Sequence, residues 1–343
     1  MTQTAASGDG QRRLPPRRSA ARTRAPRAAA ARAPAQLVRR DPQLRPARAG
    51  AGAGHAPAHT PVRPAPVPAG FGPRAGDAAP NEPLAVSRHP WEVPLTLAAV
   101  LVTCCVIGAA VHTLWTGEGA ALWAAGLVLA GIPGGCWAAA GLRHARRRAQ
   151  SVRISPTQFP DADHAIRRLS AGMGLAGAPD AYVYPAASAG SRAWGIGHGR
   201  RGYIVVPGDL FDSDGRLRDP DALRFVAAHQ LGHIAAGHAS FHLRAVTAPA
   251  RLVPVLGAAL SRAMEYTADN HAHAYCPEGV HAVRLPAGGA RLYTQVNMSE
   301  MAERARTDRG PFVFLYNLLS SRPANTKRMA ALRDRSRPGR LFF

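Results

Sequence analysis

From Pro94 to Trp115 the chain carries no charge, PLTLAAVLVTCCVIGAAVHTLW, and a second uncharged run extends from Ala120 to Leu142. These runs of 22 and 23 residues each exceed the roughly 20 needed to cross hydrocarbon as a helix. Only Thr116-Gly117-Glu118-Gly119 separates them, so the pattern predicts a two-helix transmembrane hairpin over residues 91–149. Trp91, Trp115 and Trp123 sit near the run ends, where interfacial indoles belong. Arg143-His144-Ala145-Arg146-Arg147-Arg148 follows the second run. The flanking arginines argue against a buried helical hairpin of a soluble protein. Both ends of the hairpin are basic and its turn holds only Glu118, so the positive-inside rule puts both flanks in the cytoplasm.

The net charge of +22 first suggests a nucleic-acid binder. Its distribution argues otherwise. Residues 1–90 hold 15 arginines and a net of +11, and Lys327 is the one lysine in the chain. An Arg, Ala, Gly and Pro bias of this kind is what a GC-rich genome writes into any protein. Residues 1–90 are poor in aromatics and broken by pairs such as Pro15-Pro16, so they cannot bury enough apolar surface to offset their chain entropy. They read as a disordered tail, with a polybasic arm on anionic lipid as the functional alternative. No apolar core follows the first arginines within about 30 residues, as a secretory signal requires. The arginines lack interleaved aromatics, so no specific nucleic-acid partner is expected. Four cysteines, three of them in the apolar runs, leave neither a disulfide framework nor a Cys-based zinc site.

Residues 150–343 are long enough for a core of their own. Ala162–Ala171 reads as a helix capped by Asp161. Ala181–Tyr184, Ala193–Ile196 and Tyr203–Val206 read as short strands. Asp219-Pro220-Asp221 starts a long helix running to about His238. Further helices are expected over Ala258–Tyr275, Ser299–Asp308, Pro311–Leu319 and Ala324–Arg333. The class is α+β, mainly helical, with a small sheet.

His229-Gln230-Leu231-Gly232-His233 lies inside the long helix, where residues i and i+4 share a face and both imidazoles reach one ion. The pair alone decides nothing: 14 histidines in 343 positions give about 0.6 such pairs by chance. Glu265 on the next strong helix completes a His-His-carboxylate zinc set with one position open to water. Asp269, one turn on, is placed to accept a ligand histidine's N–H. Elsewhere His238 reads as structural, and His271, His273 and His281 as surface residues.

His229–His233, then Ile234 and Gly237-His238, then Glu265-x-x-x-Asp269, resembles the membrane zinc metallopeptidases of the HtpX type and the related zinc CAAX prenyl proteases, metallopeptidase family forty-eight. The likeness covers about residues 155–335. It implies a zincin-like, gluzincin-type domain behind two transmembrane helices, in a bacterial-type cell membrane with tail and domain cytoplasmic. It implies one zinc per chain on His229, His233 and Glu265, with Asp269 behind. Three departures stand out. The catalytic Glu of H-E-x-x-H is Gln230, and an amide cannot accept a proton at neutral pH. The substrate-lining edge strand appears as Arg192-Ala193-Trp194, and the Ser/Thr-His-Pro before the last helix as Ser321-Arg322-Pro323.

The expectation is a membrane-anchored metalloendopeptidase homologue, weakly active or inactive, that holds membrane or unfolded protein segments in its cleft. The alternative is an active zinc endopeptidase of protein quality control that uses a different base, for which Glu278 is the candidate if its loop reaches the metal.

Overall fold

The computed structural model describes residues 82–184 and 202–342. The expected tail, the Ala193–Ile196 strand and the cleft residues Arg192, Ala193 and Trp194 lie outside these residues.

The two uncharged runs are helical. Helix α1 spans Glu92–Thr116, and after a short turn α2 covers Ala120–Gly126. A five-residue π turn, Leu127–Gly131, joins α2 to α3, Ile132–Gln150. Pro133 has no N–H for the Leu129 carbonyl, and the π turn is where the helix absorbs that loss. The hairpin is largely unburied: Leu97, Leu101, Trp115, Trp123 and Leu142 all face outward. Among the described residues, its base is what packs on the domain. Ala99 sits against Ala250 and Leu260, and Thr103 Oγ1 donates to the Val246 carbonyl at 2.6 Å. At the other foot the His144 ring stacks on Tyr203 with centroids 4.7 Å apart.

Strands β1 (Val152–Ile154), β2 (Asp180–Tyr184) and β3 (Tyr203–Pro207) form one sheet in that order. β1 pairs antiparallel and β3 parallel to β2. β1 escaped the sequence reading because three residues are too few to show alternation. Helix α4, Pro160–Gly172, connects β1 to β2. Its N-cap is Phe159, in the left-handed region at φ 63°, and not Asp161. Asp161 lies inside the first turn, where its charge favours the helix dipole.

Helix α5 spans Pro220–Ala235. Asp219 caps it by accepting from the Ala222 N–H at 2.9 Å. It ends three residues before the expected His238, because Gly237 takes φ 80°. His238 N–H donates to the His233 carbonyl at 2.9 Å and Gly237 N–H to that of Ile234 at 3.0 Å, a Schellman closure. The chain thereby reverses and carries the His238 side chain back onto α5.

Helix α6, Phe241–Val246, leads to α7, Pro254–Tyr275, which begins a turn earlier than expected. Helices α8 (Leu285–Leu292), α9 (Met298–Thr307), α10 (Pro311–Leu319) and α11 (Asn325–Arg333) complete the domain. The main core gathers Ile154, Ile166, Val206, Leu223, Phe225, Leu231 and Met329 around α5. α5 and α7 pack closely because residue 232 is glycine: a Cβ there would come 2.6 Å from that of His271. His271 is therefore half-buried at the helix crossing, and not the surface residue its polarity suggests.

Candidate metal centre

The close crossing of α5 and α7 brings His229, His233 and Glu265 together, with one ligand atom from each within 4.8 Å of the others. The His229 and His233 rings stand perpendicular, centroids 5.0 Å apart. His229 Nε2 lies 3.7 Å from Glu265 Oε2, and His233 Nε2 lies 3.5 Å from Glu265 Oε1. Ligands about 2.0–2.1 Å from a tetrahedral ion are about 3.3 Å from each other. The residues thus fit a zinc-type ion with little movement, and their N, N, O donor set suits it.

Behind the ligands lies a buried charge network. His229 Nδ1 is 2.8 Å from Asp269 Oδ1. With Nδ1–H donating there, Nε2 is left as the lone pair that faces Glu265, which is the tautomer a metal ligand needs. Burial pushes the His229 pKa down, against the Asp269 hydrogen bond, and the net fall favours the neutral ring. Burial works to raise both carboxyl pKa values. It is outweighed at Asp269 by Arg328 and His229, and at Glu265 by His233 and His229, so both stay ionised. Arg328, which carries Asp269, had no signal in the sequence, because its role depends on α11 meeting α7.

A second chain of contacts runs from the other histidine. His233 Nδ1 is 2.9 Å from His238 Nδ1, and His238 Nε2 is 3.1 Å from Glu92 Oε1. His238, read from sequence as a structural residue off the ligand face, is in fact against a ligand ring. Glu92, the first residue of α1, is 1% exposed and had not been singled out at all.

Gln230 is where sequence and structure diverge most. Helical geometry alone directs its side chain toward the metal's open position. Here its Oε1 accepts from the Val205 N–H at 2.8 Å and its Nε2 donates to the Val205 carbonyl at 2.5 Å. The amide is thus held by both backbone groups of one residue of β3, and Gln230 does not line the adjoining cavity. An amide has a donor and an acceptor and so matches both backbone groups; a carboxylate matches only one.

That cavity, about 580 Å³, opens beside the ligands and is lined by His233, Glu265, Arg244, Arg251, Ser321 and Arg322 among others. Arg322 thus reaches the cleft by way of the loop after α10. Glu278 does not approach it. It is exposed on the Pro277–Arg284 turn, which packs where Gly279 meets the Asp221 carbonyl. Asp221 is eight residues before His229 on α5, about 12 Å along the axis. His281 is likewise engaged there, its Nε2 2.7 Å from the capping Asp219.

A two-histidine, one-carboxylate centre at the edge of an open cleft defines a metallopeptidase-type protein. The sequence model described as Peptidase family M48 matches residues 156–253 and 240–336, more than half of the chain. The chain belongs to that family, whose peptidases are metal-dependent, usually on zinc. No curated protein and no solved structure matches it.

Proposed function

We propose that this is a membrane-anchored, zinc-binding member of the family, of the HtpX-like type, whose peptide hydrolysis is slow or absent. The observation that carries the reading is the engagement of Gln230 with both backbone groups of Val205. His229, His233 and Glu265 would hold one zinc per chain, with Asp269 fixing the His229 ring. When bound, zinc supplies Lewis acidity toward a carbonyl or a water. Residue 230 supplies no proton acceptor: its amide is not basic and is committed to β3. Losing a general base costs about 10²–10⁴ in rate. The cleft, with Arg322 on its wall, keeps room for a polypeptide segment. Membrane or unfolded protein segments are the proposed occupants.

The exposed hairpin supports the anchoring. Its helices are long and apolar enough to cross a bilayer, and 17% and 6% of their apolar windows are buried. An exposed apolar surface of that extent marks a membrane or protein contact, and its length suits a bilayer. The arginine flanks put tail and domain on the cytoplasmic face.

The test uses the purified full chain. Zinc is quantified, and casein cleavage is measured for the unmodified protein and for Gln230→Glu. One zinc per chain is expected, with cleavage at least about 10²-fold faster in the variant, whose carboxylate loses the bond to the Val205 carbonyl and is repelled from it toward the cleft. Ordinary protease rates in the unmodified protein, abolished by His229→Ala, would overturn the reading.

A further inference from the structure

We propose that Glu92, at the start of the apolar helix α1, is a positioning residue for the metal ligand His233 and acts through His238. The inference rests on the metal reading of His229, His233 and Glu265 given above.

Glu92 is 1% exposed, and burying an ionised group is costly unless it is paired and hydrogen-bonded. Three groups converge on it. Arg88 NH1 is 2.5 Å from Oε1, the Thr267 hydroxyl donates to Oε2, and His238 Nε2 is 3.1 Å from Oε1. Their roles are fixed by what lies behind them. Thr267 Oγ1 accepts from the His89 N–H at 2.9 Å and so gives its own proton to Glu92. Arg88 NH2 donates at 2.8 Å to the Ala236 carbonyl, at the end of α5. The start of α1 is therefore clasped to both ligand-bearing helices.

The hydrogen-bond direction follows from ligation. His233 faces Glu265 through Nε2, 3.5 Å away, so a metal held there takes the Nε2 lone pair. The ring proton is then on Nδ1, whose neighbour at 2.9 Å is His238 Nδ1. That atom must accept, which leaves the His238 proton on Nε2, where it meets Glu92 Oε1. A carboxylate only accepts, so it holds this order and disfavours the reverse, in which His233 would carry its proton toward the metal. Both ligand histidines thus end on a buried carboxylate. His229 reaches Asp269 directly, and His233 reaches Glu92 through one more ring. Each carboxylate has its own arginine, Arg328 for Asp269 and Arg88 for Glu92.

The consequence is that metal affinity depends on how the membrane-side helix is seated. Partners behind a ligand typically change affinity by about 10–100-fold.

The experiment uses the full chain in lipid nanodiscs, with zinc alone as the probe. Its dissociation constant is measured by chelator competition, alongside thermal melting of the metal-free protein. His238→Leu and Glu92→Ala are expected to weaken zinc by about 10–100-fold. Glu92→Gln, which keeps an acceptor oxygen, should stay within about threefold. A ring-nitrogen spectrum of metal-free protein adds a readout that needs no metal. The unmodified protein should show His233 as the Nδ1–H tautomer, and His238→Leu a mixture. Folded variants with zinc affinity and His233 tautomer both unchanged would overturn the proposal. If Glu92→Ala does not fold, His238→Leu and the tautomer decide it. Failure of the unmodified protein to bind zinc would overturn the metal reading instead, and the tautomer measurement would still judge the relay.

Discussion

Arg328 grips Asp269 with two hydrogen bonds, Nε to Oδ2 at 2.9 Å and NH2 to Oδ1 at 2.5 Å, and the pair is buried behind the metal ligands. The same Oδ1 faces His229 Nδ1. The orientation of one ligand ring, that of His229, is thereby tied to Arg328 on α11, 99 residues further along the chain.

Arg328→Met should therefore destabilise the domain by about 3–5 kcal/mol at pH 7, since it strands a buried carboxylate. The sign with pH follows from Asp269, whose carboxyl is held below its unfolded value. Such a group contributes stability above about pH 4 and loses it as pH falls through the folded value. Arg328→Met weakens that depression, so its acid unfolding midpoint should move up. Urea unfolding at pH 7 and an acid titration check both; a loss under about 1 kcal/mol would show that Arg328 is dispensable to the network.

Gln230→Glu should lower stability by about 1–3 kcal/mol at neutral pH, because the Val205 carbonyl loses its donor and meets a carboxylate. A protonated glutamic acid regains that donor. The deficit should accordingly shrink as pH falls toward about 4. Denaturant melts at pH 7 and pH 5 read this directly. Equal stability of the two proteins at both pH values would mean that the amide–strand contact is not a clasp.

Lys327 is buried, with no hydrogen-bond partner for Nζ among the described residues. Burial, then Arg262 and Arg340, pull its pKa down to about 8. The unfolded chain binds the proton more tightly between about pH 8 and 10.5, so stability rises with pH across that window. Lys327→Met should stabilise the protein at pH 7 by about 1–2 kcal/mol, and the gain should vanish near pH 10.5. Melting curves across this range test it; no gain at pH 7 would mean that the ammonium finds a partner.

Alkaline phosphatase fused after Arg148 should be inactive, and a fusion within the Thr116–Gly119 turn active, if the hairpin crosses the membrane with both flanks in the cytoplasm. Activity at Arg148 would reverse the topology.

Local order was legible wherever it is written in neighbouring residues. The uncharged runs gave the hairpin, Asp219-Pro220 the start of α5, and the i, i+4 spacing the histidine pair, because hydrophobic periodicity and capping act over a turn or two. Glu265 and Asp269 could be proposed because they share one helix face at a spacing with its own chemistry. The partners of the site could not. Glu92, Arg328 and His238 reach it only because α1, α11 and the Gly237 reversal bring them there, and nothing local marks a carboxylate or guanidinium as buried. The direction of Gln230 was beyond sequence for the same reason. Helix geometry fixes where its Cβ points, but the backbone N–H and carbonyl of Val205, twenty-five residues earlier on β3, offer a donor and an acceptor that satisfy its amide. Burial makes satisfaction of such polar groups decisive, and burial belongs to the tertiary structure alone.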